Sequence, residues 1–202
     1  DFWKAFEASV TSLVLSNPNQ VTLDLIKETQ VPFSLIGVAD EKLWKKYTET
    51  ILKNVSVLEE STEFLMDTVF SFARVKAVKS KVLWKKIVEV LSSKVDNMDL
   101  DDLGYLAMTL TPSNFGSEQA VHDIMFVDKD SQFFWNKFSS VLTRQLKSNE
   151  GADEQSRVNV YNNLLAAFEE NPVLSKQSNS ELVKQSLSGK LSVLMNKIKE
   201  TS

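Results

Sequence analysis

The sequence predicts an all-α protein: a short α-solenoid of about four helix-pair repeats, closed by a C-terminal amphipathic helix. Three observations lead there. All four tryptophans occupy one local pattern, and apolar residues recur at helical spacing through every long segment. Residues that interrupt regular structure are few, with Gly 5 and Pro 4 in 202 residues. A turn-rich β-sandwich or barrel needs more of both, and no segment of any length alternates at the two-residue period of a strand.

The tryptophan pattern aligns without gaps. Phe2-Trp3-Lys4-Ala5-Phe6, Leu43-Trp44-Lys45-Lys46-Tyr47, Leu83-Trp84-Lys85-Lys86-Ile87 and Phe134-Trp135-Asn136-Lys137-Phe138 each put Phe or Leu before Trp, and three put Lys after it. Seven and eleven residues beyond each Trp stand Val10 and Val14, Ile51 and Val55, Leu91 and Val95, Leu142 and Leu146. Trp, +3, +7 and +11 make one apolar stripe on a helix. Successive tryptophans lie 41, 40 and 51 residues apart, so the last step carries extra residues around Pro112 and Gly116. The units run roughly 1–40, 41–80, 81–130 and 131–176, with a terminal helix at 180–200.

Each unit has a second half. Glu59 to Ala77 reads as one helix, dominated by Phe64, Leu65, Met66, Val69, Phe70, Phe72 and Ala73. Asp99 to Leu110 follows Trp84, with Asp99 as its N-cap and Thr111-Pro112 as its stop. Asp153 to Asn171 follows Trp135, and Pro172 lies just past its end. In the first unit, Thr22 or Asp24 opens a short helix through Glu28, and Pro32 starts another over Phe33 to Ala39. Asp123 to Ser131 is either a helical turn or a docked loop. Ser180-Glu181 opens the last helix, with Leu182, Leu187, Leu191, Leu194 and Ile198 on one stripe. Gly189 weakens that helix by up to ~1 kcal/mol. One helix pair cannot bury its stripe alone, so the units must stack into a continuous core.

Composition excludes several chemistries. The chain has no cysteine, hence no disulfide, thiol nucleophile or Cys-ligated metal. Lys+Arg 23 against Asp+Glu 27 gives a net charge of −4, which disfavours non-specific nucleic-acid binding. No apolar run approaches the ~20 residues of a membrane span. The sequence begins at Asp1 and already reads as helix, which predicts a processed product or a fragment.

No catalytic set can be assembled. His122 is the only histidine, expected on the surface or at a helix end. The acids Asp96, Asp99, Asp101 and Asp102 lack the Gly and Glu of a calcium loop and fit a helix N-terminus instead. No glycine spacing makes a phosphate loop. The adjacent pairs Glu59-Glu60 and Glu169-Glu170 are solvated charges. Asn54-Val55-Ser56 matches a glycosylation sequon, but Val55 belongs to the apolar stripe. No catalytic, cofactor or metal residue is therefore predicted. Trp3, Trp44, Trp84 and Trp135 are expected to be structural anchors between helices. Lys45, Lys46, Lys85 and Lys86 fall at equivalent points of successive units and are expected to form a basic ridge, the candidate partner surface.

The Leu-Trp helix followed by a second helix rich in Leu, Ala and aromatics resembles organellar heptatricopeptide-type repeats, which often accompany an RNA-binding RAP domain. The matching stretches are Lys42 to Lys79 and Val82 to Leu110, with Phe134 to Phe168 looser; no RAP-like segment is visible. The resemblance implies a non-catalytic mitochondrial or chloroplast protein tied to RNA processing or to a large assembly. The expected function is thus a scaffold or accessory subunit of a larger, mitochondrial complex, with other protein subunits as partners and no cofactor. The alternative is RNA binding through the Lys ridge, which the acidic pI of about 5.2 opposes.

Overall fold

Capping side chains set the helix boundaries. The computed structural model describes residues 2–17, 21–75, 80–115, 119–147 and 154–201. Within these the α-helices are α1 Phe2–Ser16, α2 Leu23–Leu35, α3 Glu41–Lys53, α4 Ser56–Glu60, α5 Thr62–Arg74, α6 Lys81–Lys94, α7 Leu100–Thr109, α8 Pro112–Phe115, α9 Gln119–Phe126, α10 Lys129–Gln145, α11 Glu154–Glu170 and α12 Ser180–Thr201. Short 3₁₀ turns occupy Val95–Asn97 and Leu174–Lys176. No strand occurs among the described residues.

Thr22 accepts from the Leu25 N–H at 3.2 Å, Asp40 from Leu43 at 2.8 Å, Ser61 from Phe64 at 3.1 Å, Ser80 from Leu83 at 3.3 Å and Asp99 from Asp102 at 2.9 Å. Each such cap satisfies an otherwise orphaned backbone donor, worth about 1 kcal/mol. Asp40 and Ser80 precede Trp44 and Trp84 by the same interval, so both indoles leave the first turn of their helices in the same direction. Helix α10 starts earlier, after Asp128, and carries Trp135 one turn further in.

Four details differ from the sequence-based expectations. The helix expected over Glu59 to Ala77 is two helices, because extended backbone at Ser61 (φ −117°, ψ 111°) ends α4 and caps α5. It also stops at Arg74, before extended Val75, and residues 76–79 lie outside the described ones. Pro32 does not start a helix but lies inside α2, three residues from its end. A proline there leaves the Glu28 carbonyl without its usual donor, yet α2 continues, and the Ile36 N–H bonds to Pro32 O at 3.1 Å before Gly37 takes φ 78°. The segment Asp123 to Ser131 is shared between the end of α9 and the start of α10. On α12, Leu182 is exposed and Val183 is buried, because a residue four before Leu187, not five, shares its face.

Helix α2 packs on α5, α5 on α7, α7 on α11 and α11 on α12; α1 packs on α3, and α6 on α9 and α10. Their buried apolar side chains form one core. Leu43, Tyr47 and Ile51 of α3, Leu83, Ile87 and Leu91 of α6, and Phe134, Phe138 and Leu142 of α10 are wholly buried. Each such side chain contributes roughly 1.5–3 kcal/mol by leaving water. On α1, Phe6 remains 40% exposed while its ring meets Phe33 edge-on at 5.9 Å. The side chains of Trp3 and Val14 lie outside the described ones.

Candidate functional site

Trp44, Trp84 and Trp135 are fully buried. Trp44 meets Phe72 of α5 edge-on at 5.1 Å, and Trp84 meets Phe115 of α8 at 5.2 Å. The indole N–H of Trp44 donates to the Val38 carbonyl and that of Trp135 to the Met125 carbonyl, both at 2.8 Å. In each case the indole ties its helix to the segment just before it. The Trp84 indole N–H has no partner among the described residues.

The four lysines divide into two kinds. Lys45 and Lys85, one residue past Trp, are exposed; Lys46 and Lys86, two past Trp, are half-buried. Lys46 Nζ lies 3.3 Å from Glu49 Oε2. Lys86 Nζ lies 3.0 Å from Glu59 Oε1 of α4 and 3.1 Å from Glu89 Oε1. Hydrogen bonds to Glu59 and then Glu89 hold the Lys86 ammonium above its ordinary pKa. The expected ridge is therefore partly neutralised by carboxylates, and Glu59 is an ion-pair partner rather than a free solvated charge. Exposed Lys85 reaches Asp128 only at 3.9 Å.

A third member of this series escaped the ridge defined from the sequence. Lys137 also stands two residues past its Trp, with Nζ 2.8 Å from Asp96 Oδ2 and 3.1 Å from the Ser92 carbonyl. The signal was present in Trp135-Asn136-Lys137, hidden because Asn occupies the first Lys position. Lys86 and Lys137 both reach back to carboxylates of earlier segments, Glu59 and Asp96.

Between α6 and α10 lies an open groove of about 540 Å³, lined by Val82, Lys85, Lys86 and Glu89 on one wall and by Asp130 and Phe133 on the other. Val82 is 65% and Phe133 56% exposed. Both occupy the position two before Trp, where α3 carries Lys42. Lys137 Nζ stands 5.4 Å from the Phe133 ring centroid, a cation–π distance. Phe133 is the residue that sequence reasoning missed: it lies beside the stripe residue Phe134, and only the helix geometry separates the inward ring from the outward one.

Of the remaining candidates, Asp99 and Asn54 cap helices. His122, expected on the surface or at a helix end, is instead half-buried inside α9, because its face of that short helix packs beside Phe126; its ring lies 5.0 Å from Phe126 and Nδ1 3.8 Å from Asp123 Oδ1. It borders a second groove of about 500 Å³ with Gln132, Asn136 and Gln177. Asp99 caps α7, and burial followed by the charges of Asp99 and Asp101 raises the Asp102 carboxyl. Asn54 is the C-cap of α3 and donates its amide to the Thr50 carbonyl at 2.8 Å. Among the described residues, no group of three or more His, Asp or Glu is placed to hold a metal, and no helix is long and apolar enough to cross a membrane. No family model, curated protein or solved structure matches the chain.

Proposed function

We propose that this chain is a non-enzymatic helical-repeat scaffold, an accessory subunit that binds other proteins through the groove between α6 and α10. One observation carries the reading. Val82 and Phe133, two large apolar side chains at equivalent positions of successive Trp helices, line one groove and are exposed to solvent, while Phe115, Phe126, Phe134 and Phe138 around Trp84 and Trp135 are buried. An apolar pair rimmed by charges is the composition of a protein-binding surface. The run of contacts from α2 to α5, α7, α11 and α12, in chain order, supports the α-solenoid arrangement. A mitochondrial complex as its setting follows from the heptatricopeptide-type resemblance.

RNA binding through the lysines is the second reading, favoured by exposed Lys45 and Lys85. The carboxylates beside Lys46 and Lys86 oppose it, since a phosphate must displace them. Co-purification from the native source decides between the two. Phe133→Asp is expected to release the chain from its complex, with the helical far-ultraviolet spectrum unchanged. Retention of the complex by Phe133→Asp overturns the proposal. Wild-type binding to single-stranded RNA at physiological salt, falling linearly in log affinity with log salt and lost when Lys45, Lys46, Lys85 and Lys86 become Glu, establishes the second reading instead.

A further inference from the structure

Resting on the reading of that groove as a protein-docking surface, the geometry points to one occupant: an amphipathic helix of a partner protein, its apolar stripe seated on Val82 and Phe133, with carboxylates along the flank facing α6 and cations along the flank facing α10.

Shape supplies the first part of the argument. The groove is the trough between two packed helices, and α6 is 14 residues long, about 21 Å at 1.5 Å per residue. A third helix laid along such a trough places its i, i+3, i+4, i+7 residues against the apolar floor.

Charge supplies the second. Lys86 and Glu89 answer each other, at 3.1 Å, and leave little field outward. On the α6 wall the open charge is Lys85, whose side chain is 64% exposed and whose contact with Asp128 is long at 3.9 Å. On the α10 wall it is Asp130, exposed and without an ion pair among the described residues. The two walls thus present opposite charges beside the apolar pair Val82 and Phe133. A polyanion would gain at Lys85 and lose at Asp130. A segment with one acidic and one basic flank gains at both walls.

Three synthetic Leu-striped helical peptides test this: one with Glu on one flank and Lys on the other, one with Glu on both, one with Lys on both. Each is labelled and titrated with the whole chain, with fluorescence anisotropy as the readout. The mixed peptide should bind at least about tenfold tighter than the others, the scale of a few rim charge contacts. Lys85→Glu should shift the preference to the Lys/Lys peptide, and Asp130→Lys to the Glu/Glu peptide. The double variant should restore the mixed peptide, bound in the reverse direction, and Phe133→Asp should lose all three. Equal binding of the three peptides, or a ranking that Lys85→Glu and Asp130→Lys leave unmoved, overturns the inference. So does saturable binding of oligouridine, or self-association in sedimentation velocity that Phe133→Asp abolishes. If no peptide binds while Phe133→Asp still releases the native complex, the helical occupant falls and the docking surface stands. If Phe133→Asp retains the complex, both fall.

Discussion

Gly104 of α7 lies against Val160 of α11 with no room for a methyl group between them. A β-carbon on Gly104 would stand 2.8 Å from Val160 Cγ1 and 3.3 Å from Val160 Cα. The close approach of two helices, rather than any unusual backbone angle, demands glycine here. Gly104→Ala is therefore expected to destabilise by about 1–3 kcal/mol through overpacking, despite the better helix propensity of alanine. On α12, a β-carbon at Gly189 meets nothing within 4 Å, and Gly189→Ala should stabilise by roughly 0.5–1 kcal/mol. Urea denaturation of the two variants checks the opposite signs.

The indole hydrogen bonds predict a second contrast. Trp44→Phe removes a donor that the buried Val38 carbonyl uses, whereas Trp84→Phe removes one with no partner among the described residues. Trp44→Phe should cost about 1 kcal/mol more than Trp84→Phe, the net worth of a buried hydrogen bond. Trp44→Ala and Trp84→Ala should each cost about 3–5 kcal/mol, as large aromatic truncations do. Denaturant midpoints followed by far-ultraviolet circular dichroism measure all four.

A pH dependence follows from the face shared by α5 and α7. Burial, then the charge of Glu63, raises the Asp67 carboxyl; burial, then Asp67, raises the Tyr105 hydroxyl to about 12. A folded-state value above the unfolded one means that the folded chain holds the Asp67 proton more tightly. That contribution to stability is complete below the unfolded value and is lost as pH rises through the folded one. Asp67→Asn should remove this part of the decline in stability on leaving the acid range, and should bring Tyr105 down toward an ordinary phenol. Unfolding free energies across pH and the tyrosinate absorbance titration read the two effects.

The ion pair of Lys86 on α6 with Glu59 on α4 predicts a small, measurable coupling. Lys86→Ala and Glu59→Ala should each change stability modestly, and their double-mutant cycle should give about 0.2–1 kcal/mol, since both side chains retain contact with solvent. A coupling that vanishes would assign Lys86 to Glu89 alone.

The helical class, the placement of α3, α6, α7 and α11, and the stop at Thr111-Pro112 were legible because stripe, cap and breaker agree there. Ser61 was not: within Glu59-Glu60-Ser61-Thr62, a polar run on either side of a cap looks the same as the outer face of one continuous helix. Pro32 misled for a related reason, since proline suits a first turn and a late interior position nearly alike in sequence, and only the packing of α2 on α5 selects between them. The candidate surface was half legible. Lys45 and Lys85 could be placed outward from the Trp phase, but the carboxylates that neutralise Lys46 and Lys86 include Glu59, which reaches Lys86 from another unit. Phe133 required knowing the rotation of α10 to within one residue.

Trp44, Trp84 and Trp135, each sealed from water on a different helix, also give the molecule a built-in set of optical thermometers. Variants that keep one indole at a time would report, through the red shift of its emission, when water first reaches that helix. Different parts of a fold can open with different free energies. Three coincident midpoints would then mark the chain as melting in a single step. Staggered midpoints would mark it as fraying from one end, and the order of the shifts would name the end.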